Sequence, residues 1–342
     1  LIVFIPWEET NMKTLLACIV IVCSITFTPI AADYPQTTLS NDAMEMLIYL
    51  PDAENGYYRG SRFEWSGLIQ QIKYAGHTYF GDWKSTHDPE NHDDLAGTAS
   101  EFGMFTPLGY DDAKRGETFV KIGIGELQRI NTSGYQFHTN YEVATAYDWT
   151  INSTSNSIEF IQESPGFKGW KYHFEKRIQL AEGAAPRFSI YHKIVNTGSN
   201  PINTDYYCHN FTIIDDDPIG PAYTLEFPFE LQFPQSLNGY AKAEGKTVQF
   251  LKPLKNTSIY AEFEGYEVAP ENTGVTIYNQ DRKAGIKING DYGAYEFHYW
   301  STTLATCPEP FLKIDIEPGE SIEWTDEYEL IAENGINQTQ YK

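Results

Sequence analysis

The run Phe188-Ser-Ile-Tyr-His-Lys-Ile-Val195, continued by Asn196-Thr-Gly-Ser-Asn-Pro-Ile-Asn-Thr-Asp-Tyr-Tyr-Cys-His209-Asn-Phe211, decides how this chain is read. In its first part apolar and polar side chains alternate, so every second residue can face a core, which is the period of a half-buried strand. Asn-Thr-Gly then supplies turn residues, and the chain re-enters a second strand carrying His209. A histidine on a strand is held by rigid scaffold. Its imidazole titrates near neutrality, so it can give or take a proton at working pH. Most of the eight histidines are read as surface or hydrogen-bonded residues; position singles out His209.

Similar alternating segments recur at 62–65, 67–74, 117–122, 157–162, 171–180, 285–288 and 295–300, separated by Gly, Asn, Asp and Pro clusters. Aromatic residues make up 15% of the chain, with 24 tyrosines, and long leucine- or alanine-rich helical periodicity is nearly absent. The pattern predicts an all-β fold, a large antiparallel β-sandwich. Heptads, tandem repeats and long polar linkers are missing, so residues 33–342 read as one domain.

Ahead of it, Met12 reads as the start of a secretory signal. Lys13 supplies a positive region, residues 15–27 an apolar core, and Ile30-Ala31-Ala32 a small-residue cleavage site. Residues 1–32 are therefore expected to be an N-terminal extension and signal peptide, and the mature chain periplasmic or secreted without stable membrane insertion. The apolar run is shorter than the roughly 18 residues of a membrane span and is closed by Pro29. The formal net charge of −23 argues against nucleic-acid binding, whose affinity rests on Lys and Arg neutralising phosphates. Cys208 and Cys307, the two cysteines beyond residue 32, form no disulfide framework. In strand alternation Cys208 faces away from His209 while Cys307 shares a face with Glu309, so both are expected to be unpaired buried thiols.

The 188–211 run, together with Cys307-Pro-Glu309-Pro-Phe311 and Lys313-Ile-Asp-Ile-Glu-Pro-Gly-Glu320, resembles the aldose 1-epimerase (galactose mutarotase-like) superfamily. There a strand ends in an Asn-Thr/Ser-Gly-like turn, the next carries a catalytic histidine, and in some branches a Glu-Pro-aromatic segment carries a catalytic glutamate. The resemblance implies a galactose mutarotase-like sandwich, with His209 as general acid and Glu309 as its partner base. The chain departs from the family where Tyr207-Cys-His209-Asn-Phe211 replaces the usual asparagine-histidine-x-tyrosine arrangement.

Two arginines spaced by three, Arg59 and Arg62, lie among aromatics and glycines at 55–67. Guanidinium forks and ring faces suit sugar oxygens and sugar faces. The resemblance places a substrate-contacting arginine at Arg62, and pairing with a carboxylate such as Glu64 is the plainer reading of Arg59. The His/Asp-rich stretch 83–95 has no spacing of a named metal site, so it reads as a polar loop at a cleft rim. His92 and Glu101 are expected to reach substrate, without metal or cofactor. His173 shares a strand face with Lys171, Glu175 and Arg177; His298 shares one with Glu296 and Trp300. Such faces are either solvated or the lining of a carbohydrate cleft, and His173, His298 and Trp300 are placed in the site.

A histidine acid facing a glutamate base serves mutarotation and elimination alike. Export, the departure from the mutarotase pattern, and the cations Arg59, Arg62, Lys84 and Lys171 point to elimination. The expected function is thus a dehydratase or lyase acting on oligosaccharides from an acidic polysaccharide such as ulvan. In this respect the chain resembles secreted bacterial polysaccharide-utilisation proteins of this fold, the dehydratase of ulvan breakdown among them. The alternatives are an aldose 1-epimerase and a non-catalytic carbohydrate-binding protein. Nucleophile elbow, phosphate loop and dinucleotide fingerprint are all missing.

Overall fold

Alternation at period two becomes strand almost wherever it occurs. The computed structural model describes residues 34–232 and 237–333, so the expected signal peptide lies outside the described residues. Leu68–Tyr74, Thr118–Lys121, Ser157–Glu163, Tyr172–Leu180, Arg187–Asn196, Ile202–Phe211, Ala284–Gly290 and Glu296–Ser301 are all strands. One expected strand, 62–65, is not. Residues 62–65 are irregular, with bends at 62 and 63, and are tied singly by Glu64 N to Ser100 O (2.9 Å) and Trp65 N to Gly123 O (3.2 Å) rather than by a ladder. Gly67, at φ 58°, then turns the chain. Residues 135–138 belong to a loop closed by Thr139 N to Gln136 O (3.0 Å).

Every named strand pair is antiparallel. Ten strands form one sheet, in which Ser321–Ala332 lies between Ala284–Gly290 and Arg187–Asn196. A second sheet runs Ile259–Glu262, Glu296–Ser301, Thr306–Ile316, Ile202–Phe211, Gly97–Phe102. Four- and three-stranded sheets complete the fold, which is the antiparallel β-sandwich expected. The two large sheets pack through aromatic and branched residues: Phe102, Tyr206 and Ile314 from one meet Phe174, Ile194 and Trp324 from the other. The Tyr206 and Trp324 ring centroids are 4.6 Å apart.

The opposite face of the five-stranded sheet is also covered. Tyr207, Phe211, Cys307 and Phe311 pack there against Phe63 and its neighbours. That double cover is why Ile202–Phe211 is buried at nine of its ten positions, Asn203 alone being exposed. Cys208 and Cys307 are free and buried, on opposite sides of this sheet as alternation predicted.

Candidate active site

The site begins as an opening in the five-stranded sheet. Ile202–Phe211 and Thr306–Ile316 pair from Ile202↔Ile316 to Tyr206↔Leu312, and the same register resumes at the isolated bridge Thr212↔Thr306. Between these points stand Pro308 and Pro310. Proline has no N–H to give a ladder, so both are confined to strand stretches bonded on one edge only. Here that edge is Glu296–Ser301, through Tyr299↔Pro308 and Phe297↔Pro310. Carrying the interrupted register through the gap sets His209 opposite Glu309. The next strand adds His298, directly across from Glu309, and Trp300, across from Cys307. Opposite residues of an antiparallel pair share a face, so these groups converge on one side of the sheet.

His209 and Glu309 are 6% and 4% exposed, with His209 Nε2 lying 3.1 Å from Glu309 Oε1. Neither Glu309 Oε1 nor His209 Nδ1 has a hydrogen-bond partner. Burial pushes the Glu309 carboxyl up to about 8, Arg62 opposing and Glu101 adding to the shift. Burial and Arg62 push the His209 imidazole well below its usual range. Both shifts favour the uncharged forms, a protonated carboxyl beside a neutral imidazole. A proton passed from the carboxyl to the imidazole would leave a carboxylate and an imidazolium with no change in the pair's net charge.

Around the pair lies a cavity of about 220 Å³. The His209 ring stacks on Phe211 (4.0 Å, 7°), and Phe211 in turn stacks on Trp83 (5.8 Å, 9°). Trp300 meets His209 edge-on at 5.3 Å. Arg62 forms another wall, its guanidinium between the rings of Phe63 and Phe137 (4.5 and 4.3 Å). It donates from Nε to Glu101 Oε2 (2.8 Å) and from Nη2 to the Tyr207 hydroxyl (2.7 Å), which itself donates to Glu101 (2.7 Å). Burial alone would raise the Glu101 carboxyl; Lys121, 3.1 Å from its Oε1, and Arg62 outweigh it and hold the group below its usual range. Asp205 accepts from Met104 N (2.8 Å), Phe105 N (3.2 Å) and Thr106 Oγ1 (3.1 Å), which seats Met104 in the cavity lining.

Solved structures share this architecture. A galactose mutarotase related enzyme from Lactobacillus acidophilus matches at 14% identity and TM-score 0.52, over 87% of this chain and 97% of that one. A galactose mutarotase-like protein from Lactobacillus casei matches at 14% and 0.53, over 86% and 99%. An aldose epimerase homologue from C. elegans matches at 10% and 0.55, over 87% and 98%. The chain has the galactose mutarotase-like fold. No protein-family model and no curated protein sequence matches it.

Within the mutarotase-like sandwich, Arg62, His92, His209, His298, Trp300 and Glu309 line one cavity. Three other expected residues do not. Glu101 is wholly buried behind Arg62, and Lys121 fixes it there, so it positions the arginine rather than reaching the cavity. Arg59 turns the other way, donating to Glu54 O (2.6 Å) and lying 3.5 Å from Glu90, in a separate surface groove with Trp65 and Tyr141. A strand would have set 59 and 62 on opposite faces; the irregular segment does so by turning.

His173 is on the ten-stranded sheet, 2.6 Å from Glu163 and 2.7 Å from Glu175. Those carboxylates outweigh burial and hold its imidazole above the usual range, Glu175 first. It is a solvated ion cluster, the plainer of the two readings of its face. His87 is spent on Asp94 (3.1 Å) and Tyr57 O (2.7 Å). Sequence reasoning did not place Tyr207, Phe137, Met104 or Tyr260 at the site. The signal available for Tyr207 was its period-two spacing from His209.

Proposed function

We propose that the chain interconverts the anomers of an aldose, an aldose 1-epimerase-type reaction at His209 and Glu309. The observation that carries this reading is the buried imidazole–carboxyl contact, His209 Nε2 lying 3.1 Å from Glu309 Oε1, at the wall of a cavity of about 220 Å³. That volume is below the roughly 300 to 1,000 Å³ of pockets that enclose drug-sized ligands, so it suits one sugar ring. Glu309 as carboxylate takes the proton of the C1 hydroxyl while imidazolium His209 gives one to the ring oxygen. The bond between C1 and the ring oxygen breaks, and C1 becomes an aldehyde. Rotation about C1–C2 and the reverse transfers close the ring as the other anomer and restore both groups. Each assisted transfer contributes roughly 10²- to 10⁴-fold.

Elimination on an acidic oligosaccharide has less support. Of the cations it invoked, Arg59 lies elsewhere, Arg62 is committed to Glu101 and Tyr207, and Lys84 pairs with Asp93. The solved structures of the same fold are also named as aldose epimerase or mutarotase relatives. The test is exchange NMR between the anomers of a panel of aldoses. The expected result is acceleration over buffer that is lost in Glu309→Gln and in His209→Asn. No acceleration across the panel, combined with loss of one water from acidic oligosaccharides by mass spectrometry, would replace this reading with the dehydratase.

A further inference from the structure

Two large aromatic side chains stand exposed beside His298 of the cavity: Phe105 at 47% and Tyr260, itself in the cavity lining, at 43%. Both rings contact His298, at centroid distances of 6.2 and 5.6 Å. Two exposed rings beside one histidine make a partly apolar surface next to polar groups. Phe105 is also stacked on Phe311 (5.8 Å, 23°), which fixes its plane.

On its far side Phe105 borders a second, open groove of about 630 Å³. Trp170 also lines this groove. Its indole N–H is spent on Pro201 O (3.2 Å), so the ring is held and its face is what it has to offer. Gly109, at φ 76°, lets the backbone pass under that ring, where a Cβ would come within 2.9 Å of Trp170. Asn200 and the exposed carboxylates of Asp111 and Asp112 complete the lining, and among the described residues no lysine or arginine contributes.

Fixed aromatic faces interleaved with amide and carboxylate acceptors are the chemistry that binds sugar rings, whose C–H faces are apolar and whose edges are hydroxyl donors. Two carboxylates without a cation disfavour an anionic chain. We infer that this groove is a binding site for a neutral oligosaccharide, whose terminal ring enters the cavity while the following rings cross Phe105 and lie against Trp170. The inference rests on the proposed anomer interconversion for the role of that terminal ring, and its binding component stands by itself. The substrate class is accordingly the reducing end of a neutral glycan, in place of the acidic polysaccharide expected from the cations Arg59, Arg62, Lys84 and Lys171.

Calorimetry with glucose, mannose, maltohexaose, cellohexaose and mannohexaose tests it, with trigalacturonate as the anionic comparison. At least one neutral hexasaccharide should bind roughly tenfold or more tighter than its monosaccharide, the size of one or two aromatic contacts, and trigalacturonate should bind more weakly. Trp170→Ala and Phe105→Ala should each remove most of that gain, and Trp170→Tyr, which keeps a ring, should restore part of it. Asp111→Asn with Asp112→Asn should narrow the margin against trigalacturonate. If no hexasaccharide gains over its monosaccharide, or the gain survives both alanine variants, the groove is not a glycan site. If the gain is present and anomeric exchange is not, the groove stands and the anomer reading falls.

Discussion

The strands Arg187–Asn196 and Ile202–Phe211 are consecutive, ten residues each, and each buries a histidine. They differ in what each histidine faces. Arg187–Asn196 alternates strictly between buried and half-exposed residues after its exposed first position. Its His192 lies parallel to Trp324 (5.0 Å, 10°) and Phe174 (6.3 Å, 9°), inside the core between the large sheets. Ile202–Phe211 is covered on both faces, and its His209 looks across an unzipped ladder at a carboxyl. Burial pushes both imidazoles well below their usual range, and both leave Nδ1 unpartnered. A depressed histidine is therefore not what marks the site. An acid group opposite it, where two prolines have opened the sheet, is.

The contrast breaks most sharply in activity. His209→Asn and Glu309→Gln should each lower anomeric exchange by about 10²- to 10⁴-fold, whereas His192→Phe should leave it within about twofold. Equal losses in the two histidine variants, measured by exchange NMR, would mean that the core position matters as much as the cavity. Next in size is the support under Arg62. Glu101→Gln leaves Lys121 and Arg62 buried with one carboxylate fewer, and removing one partner of a buried pair costs about 3 to 5 kcal/mol; urea unfolding would show it.

The pH profile sharpens the comparison further. With the carboxyl protonated beside a neutral imidazole, kcat/KM should be level through neutral pH. It should fall about tenfold per pH unit above about 8, where Glu309 loses that proton, and fall on the acid side only well below 6.5, where His209 gains a second.

The same carboxyl also makes a stability prediction. Its folded pKa is raised, so at neutral pH folding takes up a proton, and stability falls as pH rises from about 4.5 towards 8. Glu309→Gln removes that dependence. Thermal melts should show the variant gaining on the wild type as pH increases and converging with it near pH 4.5. The smallest expected change is His192→Phe, which enlarges a buried ring within an aromatic stack, at about 1 to 3 kcal/mol.

Much of this was legible along the chain and some was not. Alternation located eight strands and assigned the faces of Cys208, Cys307, His298 and Trp300. It misread 62–65, because four residues with strand-like composition gave no sign that their backbone would bond singly to Ser100 and Gly123. His173 and His298 had the same local pattern, a histidine with charged residues at period two. The first faces solvent and the second a cavity, and nothing within either strand distinguishes them. Tyr207 and Phe137 entered the site from segments 70 residues apart in sequence, close only after folding.

The sequence by itself determined the strand period, the turn at Asn196-Thr-Gly198, the absence of ladder donors at Pro308 and Pro310, and which side chains share a face. These follow from sterics and hydrogen-bonding capacity within a few residues. Only the tertiary structure decided that His209 meets Glu309, that Arg62 enters the cavity while Arg59 leaves it, and that Glu101 lies behind the wall. Each of those depends on pairing between residues tens to a hundred positions apart, and on which face of a sheet another layer happens to cover.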